Sequence, residues 1–422
     1  MNSEFAAYQH QLDALTVFST LKQDPVIRGL RRLFAGLSDL ESRSCTEQGR
    51  PEKGDVAKGN PASDSAADLI VLYSDVLAAL YPATADLSVY LQRIVLADDN
   101  FYVRAVAAGR PLSEEIQMAV RRELSILENL AALPCRKVQE AMNYDGYLPA
   151  WSNSSIHLLG DFTKKLRQLP VTGYGIFARH HFFRFAGGEI LPVTHPDVQP
   201  LSRLFGYAHE RELVIRNTEA LLSGEPASNM LLYGDAGTGK STTIKAMAAE
   251  YANRGLRLIE IKKDQLLQIP GILEELSDTP LKLIIFIVDL SFAENDDNFS
   301  ALKAALEGSV AGRSANTVIY ATSNRRHLVR ETFAGRGGDE IHVNDSLQET
   351  MSLAARFGLA IAFQKPGREE YVHIVRALAD EAGIDISDEE LARKAEAHAI
   401  RRNGRSPRTA RQFVELLQTG LA

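Results

Sequence analysis

Apolar residues recur every three or four positions at Phe5, Tyr8, Leu12, Leu15, Phe18 and Leu21, the spacing that turns one face of an α-helix toward a core. Pro25 breaks or restarts this pattern, and Ile27, Leu30, Leu33 and Leu37 continue it. Between Ser42 and Ser65 the chain is rich in Gly, Pro, Lys and Glu and almost free of large apolar side chains. Such a stretch buries too little surface to offset its entropy, so 42–65 is expected to be a mobile loop. Helical periodicity returns over Ala66–Tyr81, through Leu69, Leu72, Val76 and Leu80, and then near Leu87–Ala97. It recurs over Ser113–Leu130, with Ser113 as N-cap, and over Ser155–Leu169, where Pro170 should stop the helix. His157, Glu114 and Glu115 stand alone on these patterns and read as solvated faces. Residues 1–172 therefore form a mainly α-helical N-terminal domain without visible chemistry.

From 173 to 200 the texture changes to aromatic and β-branched residues, and this segment reads as a β-rich connector. Arg179, His180, His181 and Arg184 alternate with Phe177, Phe182, Phe183 and Phe185. Two readings are open: a strand pair with one buried aromatic face, which is favoured, or a platform stacking on single-stranded nucleic acid. His180 and His181 would point to opposite faces of a strand, which makes them a poor metal pair.

Beyond 201 the period alternates between two and 3.6. A helix is expected over Ala208–Ser223, then a short apolar run, Asn229–Tyr233. Further strands are expected at Leu256–Ile261, Leu283–Asp289, Asn316–Thr322 and Leu359–Phe363, with helical segments between them, among them Ser300–Gly308 and Asp345–Arg356. Strands alternating with helices give a parallel α/β sheet with right-handed crossovers. From Glu369 onward three helices form a small lid. The core is placed at 201–366 and the lid at 367–422.

The stretch LLYGDAGTGKST, Leu231–Thr242, sits between the first of these strands and the helix that follows. Its spacing is that of a P-loop, Gly-x-x-x-x-Gly-Lys-Ser. Gly234, Gly237 and Gly239 let backbone N–H groups curl around phosphate oxygens, while Asp235, Ala236 and Thr238 supply further amides. The helix N-terminus adds partial positive charge. Lys240 can neutralise the β- and γ-phosphates, the Ser241 hydroxyl can ligate Mg²⁺, and Thr242 completes the motif. Asp289 ends the most apolar strand, where a Walker-B carboxylate holds the Mg²⁺ shell. Asn324 ends the next strand and could orient the attacking water. Phe205 and Gly206, in LFGY just ahead of the P-loop strand, either line an adenine pocket or form a plain linker.

Composition sets bounds on this picture. The chain of 422 residues has room for two or three domains, and its formal net charge of -7 argues mildly against a dedicated nucleic-acid coat protein. Cys45 and Cys135 are the two cysteines, which provides no disulfide framework; both read as free thiols. No apolar run approaches the ~20 residues that span a bilayer. The first residues lack the pattern of a signal peptide, so the expected address is the cytoplasm.

The motifs together resemble the AAA+ class of P-loop ATPases. More narrowly, the chain resembles a bacterial ATP-binding family catalogued as a domain of unknown function, number 815. The resembling stretches are LPVTHPD at Leu191, LFGY at Leu204, NMLLYGDAGTGKS at Asn229, RGLRLIEI at Arg254, DLSF at Asp289, ALKAALEG at Ala301, VIYATSNRRHL at Val318, RFGL at Arg356 and GRSPRTARQFV at Gly404. The resemblance implies ATP and Mg²⁺ as cofactors, with Asp289 as Walker-B acid and Asn324 as the sensor-1 residue. It implies that Arg356 is an arginine finger acting on a neighbouring subunit of a homo-oligomer, and that Arg408 in the lid is the sensor-2 residue. The implied partner is a macromolecule, protein before nucleic acid, and no membrane.

One departure bears on rate. In this class the Walker-B strand usually ends in two acids, but Asp289 lies between Val288 and Leu290, and the next carboxylates are Glu294, Asp296 and Asp297. Loss of a positioned general base typically costs roughly 10²–10⁴-fold. The leading expectation is an ATPase, slow in turnover, that remodels or loads a macromolecule. The alternative is a nucleotide-gated binding module with little hydrolysis. A small-molecule phosphotransferase fits less well, because the Arg401–Arg411 cluster is better explained by sensor 2; contact with nucleic acid is the other reading of that cluster.

Overall fold

The structure, a computed structural model, describes residues 4–47, 61–290, 302–303, 306, 315–324, 356–402 and 404–421. The chain divides into two compact units, 1–169 and 170–422. The expected helices at 300–308 and 345–356 lie almost wholly outside the described residues, as do Glu294, Asp296 and Asp297.

The first unit is helical: α1 Glu4–Asp13, α2 Pro25–Glu47, α3 Pro61–Leu80, α4 Leu87–Ala97, α5 Phe101–Ala107, α6 Glu114–Ala131, α7 Cys135–Met142 and α8 Leu158–Thr172. Its core is the periodic set read from the sequence, with Leu30, Leu33, Leu37, Val76, Leu80 and Leu91 fully buried. Helices α2 and α3 approach closely where α2 carries glycine. A Cβ at Gly29 would lie 3.0 Å from Val76 Cγ2, and one at Gly36 2.8 Å from Leu69 Cδ2.

Three expectations change here. The pattern Phe5–Leu21 is not one helix, because α1 ends at Asp13. The buried Glu123 of α6 accepts hydrogen bonds from the amides of Thr16, Val17 and Phe18 and from the Thr16 hydroxyl. These amides are satisfied by a side chain from outside the local pattern. The chain restarts at Pro25, where the missing N–H costs nothing, with Asp24 accepting from Val26 and Ile27. Second, the stretch 42–65 is helical at both ends, to Glu47 in α2 and from Pro61 in α3, because helices nucleated by buried faces extend into polar residues at small cost; residues 48–60 lie outside the described ones. Third, Pro170 lies inside α8, near its end, and the helix stops two residues later before Gly173 at φ 70°.

The second unit is built on a seven-stranded sheet: β1 Phe182–Ala186, β2 Glu189–Pro192, β3 Met230–Gly234, β4 Leu256–Ile261, β5 Lys282–Ile287, β6 Thr317–Ser323 and β7 Leu359–Phe363, in the order β2-β1-β4-β5-β6-β3-β7. All neighbours pair in parallel except the β1–β2 hairpin. Helices α9 Ala208–Ser223, α10 Lys240–Glu250 and α11 Ile269–Glu275 cover the sheet. The lid is α12 Arg368–Glu381, α13 Asp388–Arg401 and α14 Pro407–Gln418, packed around Tyr371, Ile374, Leu391 and Phe413.

β5 reads as a continuous apolar run because both faces are covered. Leu283, Ile285 and Ile287 join one core with Ile269 and Ile272 of α11; Ile284 and Phe286 join the other with Ile244 and Met247 of α10. The hairpin expected as a connector is part of this sheet, since β1 pairs with β4. Its aromatic residues serve both faces: Phe183 and Phe185 enter one core and Phe182 the other, while Arg184 is exposed. The buried rings are not available to stack on bases.

Arg257 is the largest fully buried side chain. Among the described residues its guanidinium meets no carboxylate. It donates to the carbonyls of Phe177, Ala252 and Leu256 at 2.9 Å and of Thr172 at 3.1 Å. Burial pulls it down to about 10. The side chain thus fastens the segment ahead of β1 to the start of β4. Arg257→Met is expected to destabilise the protein by about 3 kcal/mol or more, since each buried carbonyl left unpaired costs roughly 1–3 kcal/mol. Arg257→Lys should recover only part, because an ammonium cannot fork across four acceptors. Denaturant midpoints of the three proteins check this.

Candidate functional site

The P-loop leaves β3 where it is flanked by β7, and the fit there is tight. Gly234 has φ 128°, and a Cβ on it would lie 2.2 Å from Phe363 O. The Asp235 amide continues the ladder to Phe363 O at 3.1 Å, and the Asp235 carboxylate accepts from the Lys365 amide at 3.0 Å. Gly237, at φ 80°, faces the lid: a Cβ there would lie 3.1 Å from Ser406 Oγ and 3.2 Å from Arg408 Cβ. The Gly237 carbonyl accepts from the Arg408 amide at 3.2 Å. The N-terminal turn of α14, capped by Ser406 and begun by Pro407, therefore rests on the loop.

Lys240 opens α10 and is 5% exposed. Its ammonium donates to the carbonyls of Gly234 at 2.9 Å and Asp235 at 2.6 Å. Burial pushes it down to about 8, against the opposing pull of Asp235 and Asp289, with Arg408 lowering it further. Thr238 and Thr243 close the loop on itself through Asp235 O and Gly239 O.

At the carboxyl ends of β5 and β6 a hydrogen-bonded chain faces the loop. The hydroxyls of Ser241 and Thr322 are 3.3 Å apart. Thr322 Oγ1 accepts from the Asp289 amide at 3.2 Å, and Asn324 Nδ2 donates to Asp289 Oδ1 at 2.8 Å. Strand β5 ends at Ile287, two residues earlier than the sequence pattern suggested. Val288, partly buried, packs on the α10 side of the sheet. Asp289 follows in the left-handed region at φ 52°, a conformation Asp tolerates better than most residues.

A cavity of about 470 Å³ brings these groups together. Ala236–Thr243 form one wall, Val288, Asp289, Thr322 and Asn324 a second, and Arg408 and Arg411 of the lid a third. Leu204 and Phe205, with Ile374 and Leu378 of α12, make an apolar end, and Arg211 of α9 also reaches the space. The donor set fits a hydrated Mg²⁺: one hydroxyl at Ser241 and one carboxylate at Asp289 border the same cavity and are linked through Thr322.

Among the residues named from the sequence, Ala236–Thr242, Asp289, Asn324, Arg408 and Phe205 line this cavity. Gly234, Asp235 and Gly206 do not. Gly234 and Asp235 hold the loop against β7, and Gly206 sits where a Cβ would be 2.6 Å from Ile374 Cδ1. Arg356 is also absent from the lining. It precedes β7, whose first residue pairs with Met230 at the entry of β3, so it lies at the sheet edge opposite the P-loop. Sequence reasoning gave no site role to Thr322 or Arg211, and named Arg411 only as the end of the Arg401–Arg411 cluster. Arg411 could have been found from its i,i+3 spacing to Arg408 on one helix face. Arg211, a half-buried guanidinium held below its usual value by burial, has no local signal.

The sequence model of a family described as "Protein of unknown function (DUF815)" matches residues 178–421. No curated protein matches the sequence. Similar solved structures include the Thermotoga maritima RuvB Holliday junction branch migration motor, at 18% identity over 52% of this chain and 64% of that one, with a TM-score of 0.36. The FIGL-1 AAA domain in complex with ADP is another, at 16% identity over 54% of this chain and 75% of that one, with a TM-score of 0.35. The chain thus spans somewhat less than two thirds of the RuvB structure.

Thr322 is the link between the loop hydroxyl and the Asp289 turn. Thr322→Val keeps the shape and removes both hydrogen bonds, and it is expected to lower stability by about 1 kcal/mol. Thr322→Ser should retain most of that. Chemical unfolding of the two variants beside the parent measures the difference.

Proposed function

This chain belongs to the DUF815 family, and on its AAA+-type P-loop core and helical lid we propose that it is an ATP-binding protein whose lid is set by nucleotide. The observation that carries this reading is the contact of α14 with the loop, Arg408 N to Gly237 O, beside a buried Lys240. A triphosphate entering the cavity meets loop amides, an ammonium and the lid's guanidinium groups within one space. Lys240 would exchange its two carbonyl partners for phosphate oxygens. Arg408 would bind from the lid side, Arg411 beside it, and the apolar end at Phe205 and Ile374 suits a base. Ser241 and Asp289 would hold Mg²⁺, which supplies positive charge to the phosphates. Asn324, bonded to Asp289, would orient a water.

On this reading the nucleotide cycle serves a macromolecular partner, which the protein remodels or loads, and the helical unit is where that partner binds. A net charge of -7 favours a protein partner over nucleic acid. Arg356, at the edge away from its own cavity, suits a role on a neighbouring copy in a homo-oligomer. Among the described residues no helix is long and apolar enough to cross a membrane.

A second reading, a nucleotide-gated binding module with little hydrolysis, draws on one observation. Asp289 is the single carboxylate among the described residues that line the cavity, and it is held by Asn324.

Thermal unfolding with ATP and magnesium tests the binding claim. ATP at a hundredfold over its Kd should stabilise the parent by about 2.7 kcal/mol, and Lys240→Ala should lose most of that. Equal melting of both proteins at every ATP concentration would overturn the reading. Turnover measured alongside should be slow and should fall further in Asp289→Asn. A rate per protomer that stays flat on dilution would remove Arg356 from any role in trans.

A further inference from the structure

The residue that follows the first P-loop glycine is generally treated as a spacer. Here the residue does not line the cavity. Asp235 Oδ2 accepts from the Lys365 amide at 3.0 Å, and the Asp235 amide donates to Phe363 O at 3.1 Å. Phe363 is the last residue of β7, and α12 begins at Arg368. The four residues between them, Gln364 to Gly367, are the hinge on which the lid is attached to the sheet. Asp235 therefore grips that hinge at its first turn.

Tyr207 also holds the hinge. Tyr207 donates through its hydroxyl to Gln364 O at 2.6 Å, and its ring stacks on Phe363 with centroids 5.2 Å apart. Its amide donates to Glu370 Oε1 of α12 at 3.2 Å. Tyr207 holds this posture at φ 53°, a left-handed conformation unusual for an aromatic residue. The hinge is thus clamped on one side by a strained, rigid segment and on the other by the P-loop itself.

The P-loop side is the one that can change. Lys240 Nζ donates to the carbonyls of Gly234 and Asp235, the two residues that contact β7 and the hinge. When the ammonium turns to an anion in the cavity, both carbonyls lose that donor, while Asp235 O keeps the Thr238 hydroxyl at 2.8 Å. The peptide between Asp235 and Ala236 then loses the Lys240 half of its hold and can pivot about Thr238, and the side chain of the same residue carries the change to Lys365.

We propose that Asp235 is a positioning residue that couples occupancy of the P-loop to the lid hinge, through the sequence Lys240 ammonium, Asp235 carbonyl, Asp235 carboxylate, Lys365 amide. The proposal rests on the ATP-binding reading above. It adds a second mechanical path to the lid, at its attachment point, independent of the Arg408 contact at its far end. Because coupling between sites is reciprocal, a lid locked in one position would alter ATP affinity through the same residue.

The test is amide hydrogen exchange of the full chain over 364–370, without ATP and at saturating ATP with magnesium, with occupancy verified in each protein. The parent is expected to change protection in this segment on binding ATP. Asp235→Ala should abolish most of that ATP-dependent change, whereas Asp235→Asn, whose amide oxygen still accepts from Lys365, should keep it. A purely structural role would raise exchange in Asp235→Ala equally with and without ATP and leave the difference intact; that result overturns the proposal. So does loss of the difference in Asp235→Asn to the same extent as in Asp235→Ala. If the parent fails to bind ATP, the functional reading falls and this inference with it. If the parent binds ATP but residues 364–370 do not respond, only this inference falls.

Discussion

A buried ammonium that donates to neutral carbonyls, with the pull of Asp235 and Asp289 too weak to offset its burial, is the constraint on which the site depends. Lys240 is 5% exposed and is held by two neutral carbonyls. Neutral acceptors satisfy its hydrogen bonds but leave most of the cost of burying its charge in place. Burial has accordingly drawn its pKa down to about 8. The fold maintains this arrangement because the loop around Lys240 has no room to relax: β7 closes on Gly234, and α14 closes on Gly237. A site of this kind binds an anion strongly because the price of desolvating the cation has been met during folding.

On the proposed function, the same tightness would join binding to the lid. The loop touches the lid at Arg408 and the lid's attachment at Lys365, and the cavity has walls from both sheet and lid. Loop and lid are therefore in direct contact, with no long chain of residues between them. Opposite the loop, Ser241, Thr322, Asp289 and Asn324 form one network across three elements. Its members come from the helix after β3 and from the ends of β5 and β6, the carboxyl edge at which parallel sheets bind ligands.

What could be read from the sequence follows the range of the forces involved. β4 and β7 have the bounds that their apolar runs suggested, because burial of a strand on both faces leaves a continuous local signature. The P-loop and the three lid helices were legible for the same reason: spacing, glycines and caps are local. The break after α1 was not, since it is made by Glu123 more than a hundred residues away. Nor was the entry of β1 into the main sheet, which depends on pairing with β4. Within the site, Lys240, Asp289 and Asn324 stand at motif positions, whereas Thr322 reads as one more residue of a buried strand. Asp235 was expected to offer its amide to phosphate; that amide donates to Phe363 O and the carboxylate accepts from Lys365, partners that only the folded chain supplies.

Transfer of one ammonium group from carbonyls to phosphate is the central step, and calorimetric titration of ATP in buffers of differing ionisation enthalpy measures that transfer. Free Lys240 is pushed down to about 8, and a bound anion favours its charged form. The expected result is no uptake of protons by this group well below that pH. Uptake should appear, and affinity fall by up to about tenfold per pH unit, as pH rises above it; Lys240→Arg should show neither effect. ATP binding with a pH-independent affinity and no proton uptake at about pH 9, where the free amine should be largely neutral, would contradict the account.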